Sequence, residues 1–73
     1  MPKYNGHKNW NHWNVSLWIN NDEGLYHMAR HYVDHYTLDT AAECLLSDLQ
    51  GQKTPDGAPY TYSSIRAAIS GMR

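Results

Sequence analysis

The chain has no phenylalanine and only one cysteine among its 73 residues. A single thiol excludes an intramolecular disulfide, a usual staple of domains this small. Basic residues are scarce too: six Lys and Arg stand against seven Asp and Glu, for a net charge of −1. That balance lacks the global basic signature of a nucleic-acid binder. No apolar run is long enough to cross a membrane, and no secretory-leader pattern opens the chain. A reducing, cytoplasmic setting is therefore expected. Also missing are a phosphate-binding glycine loop, a paired-carboxylate motif of known spacing and a Ser-His-Asp signature. We expect a protein that is not an enzyme and needs no cofactor.

What is present is a set of rings with polar handles: three Trp and six Tyr. A chain of this size buries only roughly 60% of the surface its unfolded form exposes, so its core is marginal. Large aromatic side chains offset that, each covering about 150–250 Å². A homodimer would add further burial. All three tryptophans fall between Trp10 and Trp18. Read as a helix from about Trp10 to Ile19, this stretch places Trp10, Trp13, Leu17 and Trp18 on one face. Val15 and Ile19 widen the apolar arc, leaving His12, Ser16 and Asn20 as the polar strip. Asn14 falls among the apolar residues. A buried amide must find partners, so Asn14 is expected to tie down a neighbouring loop or helix end.

The remaining elements follow in order. Residues 1–8 read as an irregular arm, with a turn at Asn5-Gly6. Asn20 and Glu23 have the spacing of a capping box that opens a second helix running to about Tyr36. Leu25, Met28, Ala29, Tyr32, Val33 and Tyr36 form its apolar stripe. Thr40 and Glu43 form a second box, for a helix to about Gln50 with Ala42, Leu45, Leu46 and Leu49 facing inward. Gly51 stops it. Residues 51–59 form a loop around the turn Thr54-Pro55-Asp56-Gly57. A last helix, capped by Thr61 or Ser63, presents Tyr62, Ile65, Ala68, Ile69 and Met72. The prediction is a single all-α domain of three to four short helices around the Trp-rich one. Its core draws on Trp10, Trp13, Leu17, Trp18, Leu25, Met28, Tyr32, Leu45, Leu49, Ile65 and Ile69.

Charge is unevenly spread. Residues 1–21 carry +2 from Lys3 and Lys8, residues 22–48 carry −5, and residues 49–73 carry +2. An acidic middle suits a basic partner, and Glu23, Asp34, Glu43 and Asp48 are the candidate partner-binding residues. His27, His31 and His35 recur every fourth residue, with Asp34 alongside. Imidazoles at i, i+4 can grip one metal ion, but successive turns rise about 5.4 Å, so one helix cannot wrap three ligands around it. A site would use two of them and recruit His7 or His12. The expected state is an exposed histidine face with no metal. Cys44 has no recognised signature around it and reads as a bystander. A small nucleic-acid-binding accessory role, using Lys3, Lys8 and the aromatics, is the alternative, and a His-based metal module a further one. Direct nucleic-acid binding is the less expected of the partner classes.

The run Tyr4-Asn5-Gly6, Asn9-Trp10, Trp13-Asn14-Val15, Leu17-Trp18-Ile19 and Asn21-Asp22-Glu23-Gly24-Leu25-Tyr26 resembles a family of small uncharacterised proteins carried by bacteriophages and other mobile elements. Thr54-Pro55-Asp56-Gly57 is similar to a later turn in many of them. The resemblance implies no catalytic residues. It implies a compact protein of a bacterial cytoplasm that binds and disables a host defence complex, as anti-CRISPR proteins do, with acidic and aromatic residues set against a basic nucleic-acid-binding surface.

Overall fold

Four helices account for most of the chain in the computed structural model, which describes residues 8–72: α1 (Trp10–Asn21), α2 (Glu23–His35), α3 (Leu38–Leu49) and α4 (Tyr62–Ser70). The fold is all-α, as the sequence predicts. The expected N-terminal arm falls outside the described residues except for Lys8. Helix α4 lies between α1 and α3, while α2 packs on both of them along another side.

Each helix starts on a side chain that takes up an orphan backbone N–H. Asn9 accepts from the His12 amide at 3.0 Å and caps α1. Asp22 caps α2, accepting from the Leu25 amide at 3.0 Å. The expected box of Asn20 and Glu23 does not form. Asn20 is still inside α1, donating to the Ser16 carbonyl at 2.8 Å. The backbone N–H of Asp22 bonds the Trp18 carbonyl at 2.9 Å, so the same residue ends one helix and opens the next. Helix α3 also starts earlier than the Thr40–Glu43 box predicts. Thr37 caps it by accepting from the Thr40 amide at 3.2 Å. Thr61 caps α4 in a reciprocal box with Ser64. Gly51, at φ +80°, terminates α3 in the left-handed region that glycine tolerates.

Helix α1 departs most from the sequence reading. Its buried residues are Asn14, Val15 and Ile19. Trp10 and Leu17, expected in the core, are 40% and 37% exposed. Trp13 and Trp18 are half-buried. A helix that is apolar nearly all round gives its phase no sign, and here the neighbours choose. Val15 and Ile19 meet Ala29 and Val33 of α2, Leu45 and Leu49 of α3, and Ile65 and Ile69 of α4 in one core cluster. Leu25, Met28 and Tyr32 are partly buried against that cluster rather than within it.

The neighbouring edge of α1 faces the 50–61 connection, and its polar side chains hold that segment. Asn14 accepts a hydrogen bond from the Thr54 hydroxyl and donates to Asp56 Oδ2 at 2.9 Å. The Trp18 indole N–H donates to the same carboxylate oxygen at 3.0 Å. Asn11 donates to the Pro59 carbonyl at 2.8 Å. Within the turn, the Gly57 amide bonds the Thr54 carbonyl at 2.8 Å, and the Ala58 amide bonds the Thr54 hydroxyl at 3.0 Å. So secured, the connection drives Ala58 and Tyr60 into the core. The tie expected of Asn14 is made, through side chains of the turn.

Two outcomes follow from this network. Asn14→Ala leaves the buried Thr54 hydroxyl without its acceptor and should cost about 1–3 kcal/mol, read as a lower urea midpoint at unchanged slope. Hydrogen bonds from Asn14 and then Trp18 hold the Asp56 carboxyl below its ordinary pKa. Its stabilising contribution is therefore present above about pH 3.9 and is lost as pH falls through the folded-state value. Asp56→Asn should flatten the acid side of a stability–pH curve measured by circular dichroism; an acid limb as steep as the wild type's would contradict this account.

Candidate interaction surface

A cluster of rings and one carboxylate gathers where the C-terminal half of α2 meets α3. Ala29 and Val33 fix the phase of α2 by burial. That phase leaves Tyr32 at the edge of the α2–α3 contact, half-buried, with its hydroxyl donating to Asp48 Oδ2 at 2.6 Å. This bond to a carboxylate, helped by partial burial and by the charge of Asp48, pushes the Tyr32 phenol up to about 12. One turn on, Tyr36 is 46% exposed, its ring centroid 6.1 Å from that of Tyr32. On the other flank, His31 meets Tyr32 edge-on at 5.6 Å and lies 4.5 Å from His35. The result is a run of four rings, His35–His31–Tyr32–Tyr36, with a carboxylate bonded to the phenol of its third member. Cys44, half-buried, stands one turn before Asp48 on α3.

The four acidic residues singled out from sequence do not share one surface. Asp48 joins the ring run. Glu43 is five residues away, about 140° around α3, and its charge acts on Tyr62 of α4. Asp34 pairs with Arg30 at 3.3 Å, and Arg30 also donates to the Met72 carbonyl at 2.7 Å. Glu23 is at the far end of α2, its side chain 91% exposed and 3.9 Å from His27. Asp39, which capping logic alone would not single out, clasps α3 to α4 through Arg66 at 2.8 Å and is held below its ordinary pKa by that guanidinium.

The other candidates are scattered. His12 Nε2 meets the Ser63 hydroxyl at 2.8 Å, joining α1 to α4. His7 and Lys3 lie outside the described residues, and Lys8 is exposed. Among the described residues, no group of three or more His, Cys, Asp or Glu is arranged to hold a metal ion, and no helix is long and apolar enough to cross a membrane. Trp10 and Leu17 give α1 a second exposed apolar area. Sequence reasoning missed Tyr32 and Tyr36 as surface groups because their spacing matched the buried stripe. The available signal was their hydroxyls, which need a partner or water when half-buried.

A model of a family described as "Family of unknown function (DUF7249)" matches residues 1–73. No curated protein and no solved structure matches the chain.

The Tyr32–Asp48 bond makes a spectroscopic prediction. In an ultraviolet titration one tyrosine should ionise near pH 12, with circular dichroism recorded in parallel to locate unfolding. Asp48→Asn should bring that step down toward the ordinary value of about 10; identical titrations for the two proteins would mean that the bond is not made.

Proposed function

We propose a function for this chain, which belongs over residues 1–73 to the family of unknown function DUF7249, from the chemistry of its surface. It is a stoichiometric binding protein that sets its α2–α3 face against a basic surface of a larger partner. The observation that carries this reading is the Asp48 carboxylate held by the Tyr32 hydroxyl, with the exposed Tyr36 ring 6.1 Å from the Tyr32 ring. A guanidinium or ammonium group gains there from a charge-assisted hydrogen bond and from the ring face together. The composition of the segment supports it, since residues 22–48 carry a net −5 that favours a cationic partner. Tyrosine is also enriched where interfaces form.

The resemblance of residues 4–26 and 54–57 to small proteins of bacteriophages and mobile elements directs the choice of partner. Such a protein disables a host defence complex in the bacterial cytoplasm, and the basic nucleic-acid-binding surface of a CRISPR effector is the kind of target this face fits. Glu23 and Glu43, exposed on either side, contribute charge rather than contact geometry.

In bacteria with an active CRISPR effector and a matching guide, expression of the chain should restore establishment of the targeted plasmid. Tyr36→Ala and Asp48→Lys should each weaken binding of the purified effector about tenfold or more, with thermal midpoints near that of the wild type. Plasmid loss undiminished by the chain, or variants that bind as tightly as the parent, would reject the reading. A nucleic-acid shift lost at high salt would favour the accessory-binder alternative instead.

A further inference from the structure

We propose that His31 and His35 form a two-imidazole clip for a late first-row divalent cation such as Zn²⁺, Ni²⁺ or Cu²⁺. The sequence offers two equivalent i, i+4 pairs, His27–His31 and His31–His35. The structure separates them. His27 sits toward Glu23 and meets Tyr26 edge-on. His31 and His35 have ring centroids 4.5 Å apart and planes tilted by 38°. A tetrahedral ion with bonds of about 2.0–2.1 Å holds two nitrogens a little over 3 Å apart, which rings at this separation can supply by rotating about their side-chain bonds.

The second observation concerns the tautomer. His35 Nδ1 lies 2.8 Å from the His31 carbonyl oxygen. A carbonyl only accepts, so Nδ1 carries the hydrogen. In the neutral ring that leaves the Nε2 lone pair available for a metal. A ring N–H held by a backbone carbonyl is the support that metal-ligating histidines ordinarily have. His31 carries no ring hydrogen bond among the described residues, so its lone pair is also available. Both side chains are exposed and need no opening of the fold. With no third protein donor grouped with them among the described residues, water completes the shell, and imidazole ligands favour Cu²⁺, Ni²⁺ and Zn²⁺ over Mg²⁺ or Ca²⁺. The clip does not depend on the proposed partner.

Zn²⁺ titrated into the untagged protein at pH 7.5 tests this, with calorimetry for affinity and the histidine ring signals in NMR for location. One ion should bind per clip, moving the signals of His31 and His35. His31→Ala and His35→Ala should each weaken binding about tenfold or more, while His27→Ala leaves it unchanged. Acidification should release the ion, because imidazole binds a metal only in its neutral form. The proposal is overturned by the absence of saturable binding, by undiminished affinity in either His31→Ala or His35→Ala, or by an equal loss in His27→Ala. All three variants change exposed side chains, and matching circular dichroism spectra establish that each is folded.

Discussion

One buried amide governs the assembly. Asn14 sits at the level of the core and joins the first helix to the only long connection among the described residues, by accepting from Thr54 and donating to Asp56. Had that connection been free, Ala58 and Tyr60 would have no reason to enter the core, and α4 would start from an unfixed point. The network is closed: no buried side-chain nitrogen or oxygen among the described residues is left without a partner. This is the regime in which polar groups specify a core rather than weaken it. It also explains why two short segments forty residues apart, around Trp13-Asn14 and Thr54-Gly57, belong together.

Much of the fold was legible from the sequence because three helices announce their faces. The buried Ala42, Leu45 and Leu49 of α3 and Ile65, Ala68 and Ile69 of α4 fall where their periodicity puts them. Helix α1 was legible as a helix but not as a face. Its tryptophans outweigh its asparagines on any hydrophobic scale, yet Asn11 and Asn14 lie inward because a loop backbone and a turn needed donors and acceptors there. Pattern counts burial of carbon, whereas here unsatisfied polar groups on a distant segment fixed the rotation. Cap positions slipped for a related reason. Around residues 20–22 several polar side chains compete, and Asp22 caps α2 while its own N–H still bonds the Trp18 carbonyl of α1.

The interaction surface was legible only in part. Net charge located the acidic middle, but the packing phases of α2 and α3 decided which charges stand together. Arg30 and Arg66 occupy Asp34 and Asp39. What remains is Asp48, bonded to the half-buried Tyr32 that sequence placed in the core. The rings on α2 are therefore a by-product of how Ala29 and Val33 seat that helix: these smaller residues are buried, and the large ones are left at the rim.

The joint at Asp22 bears on how this chain can change. Because one residue closes α1 and caps α2, there is no slack between them. One residue inserted in the first turn of α2 would rotate the remainder by about 100° relative to the cap. Ala29 and Val33 would leave the core, and Tyr32 would swing out of reach of Asp48. Packing and surface chemistry are thus tied to one residue count. Such a chain can exchange the exposed side chains of α2, but it cannot change length there without giving up its core and its interaction surface in the same step.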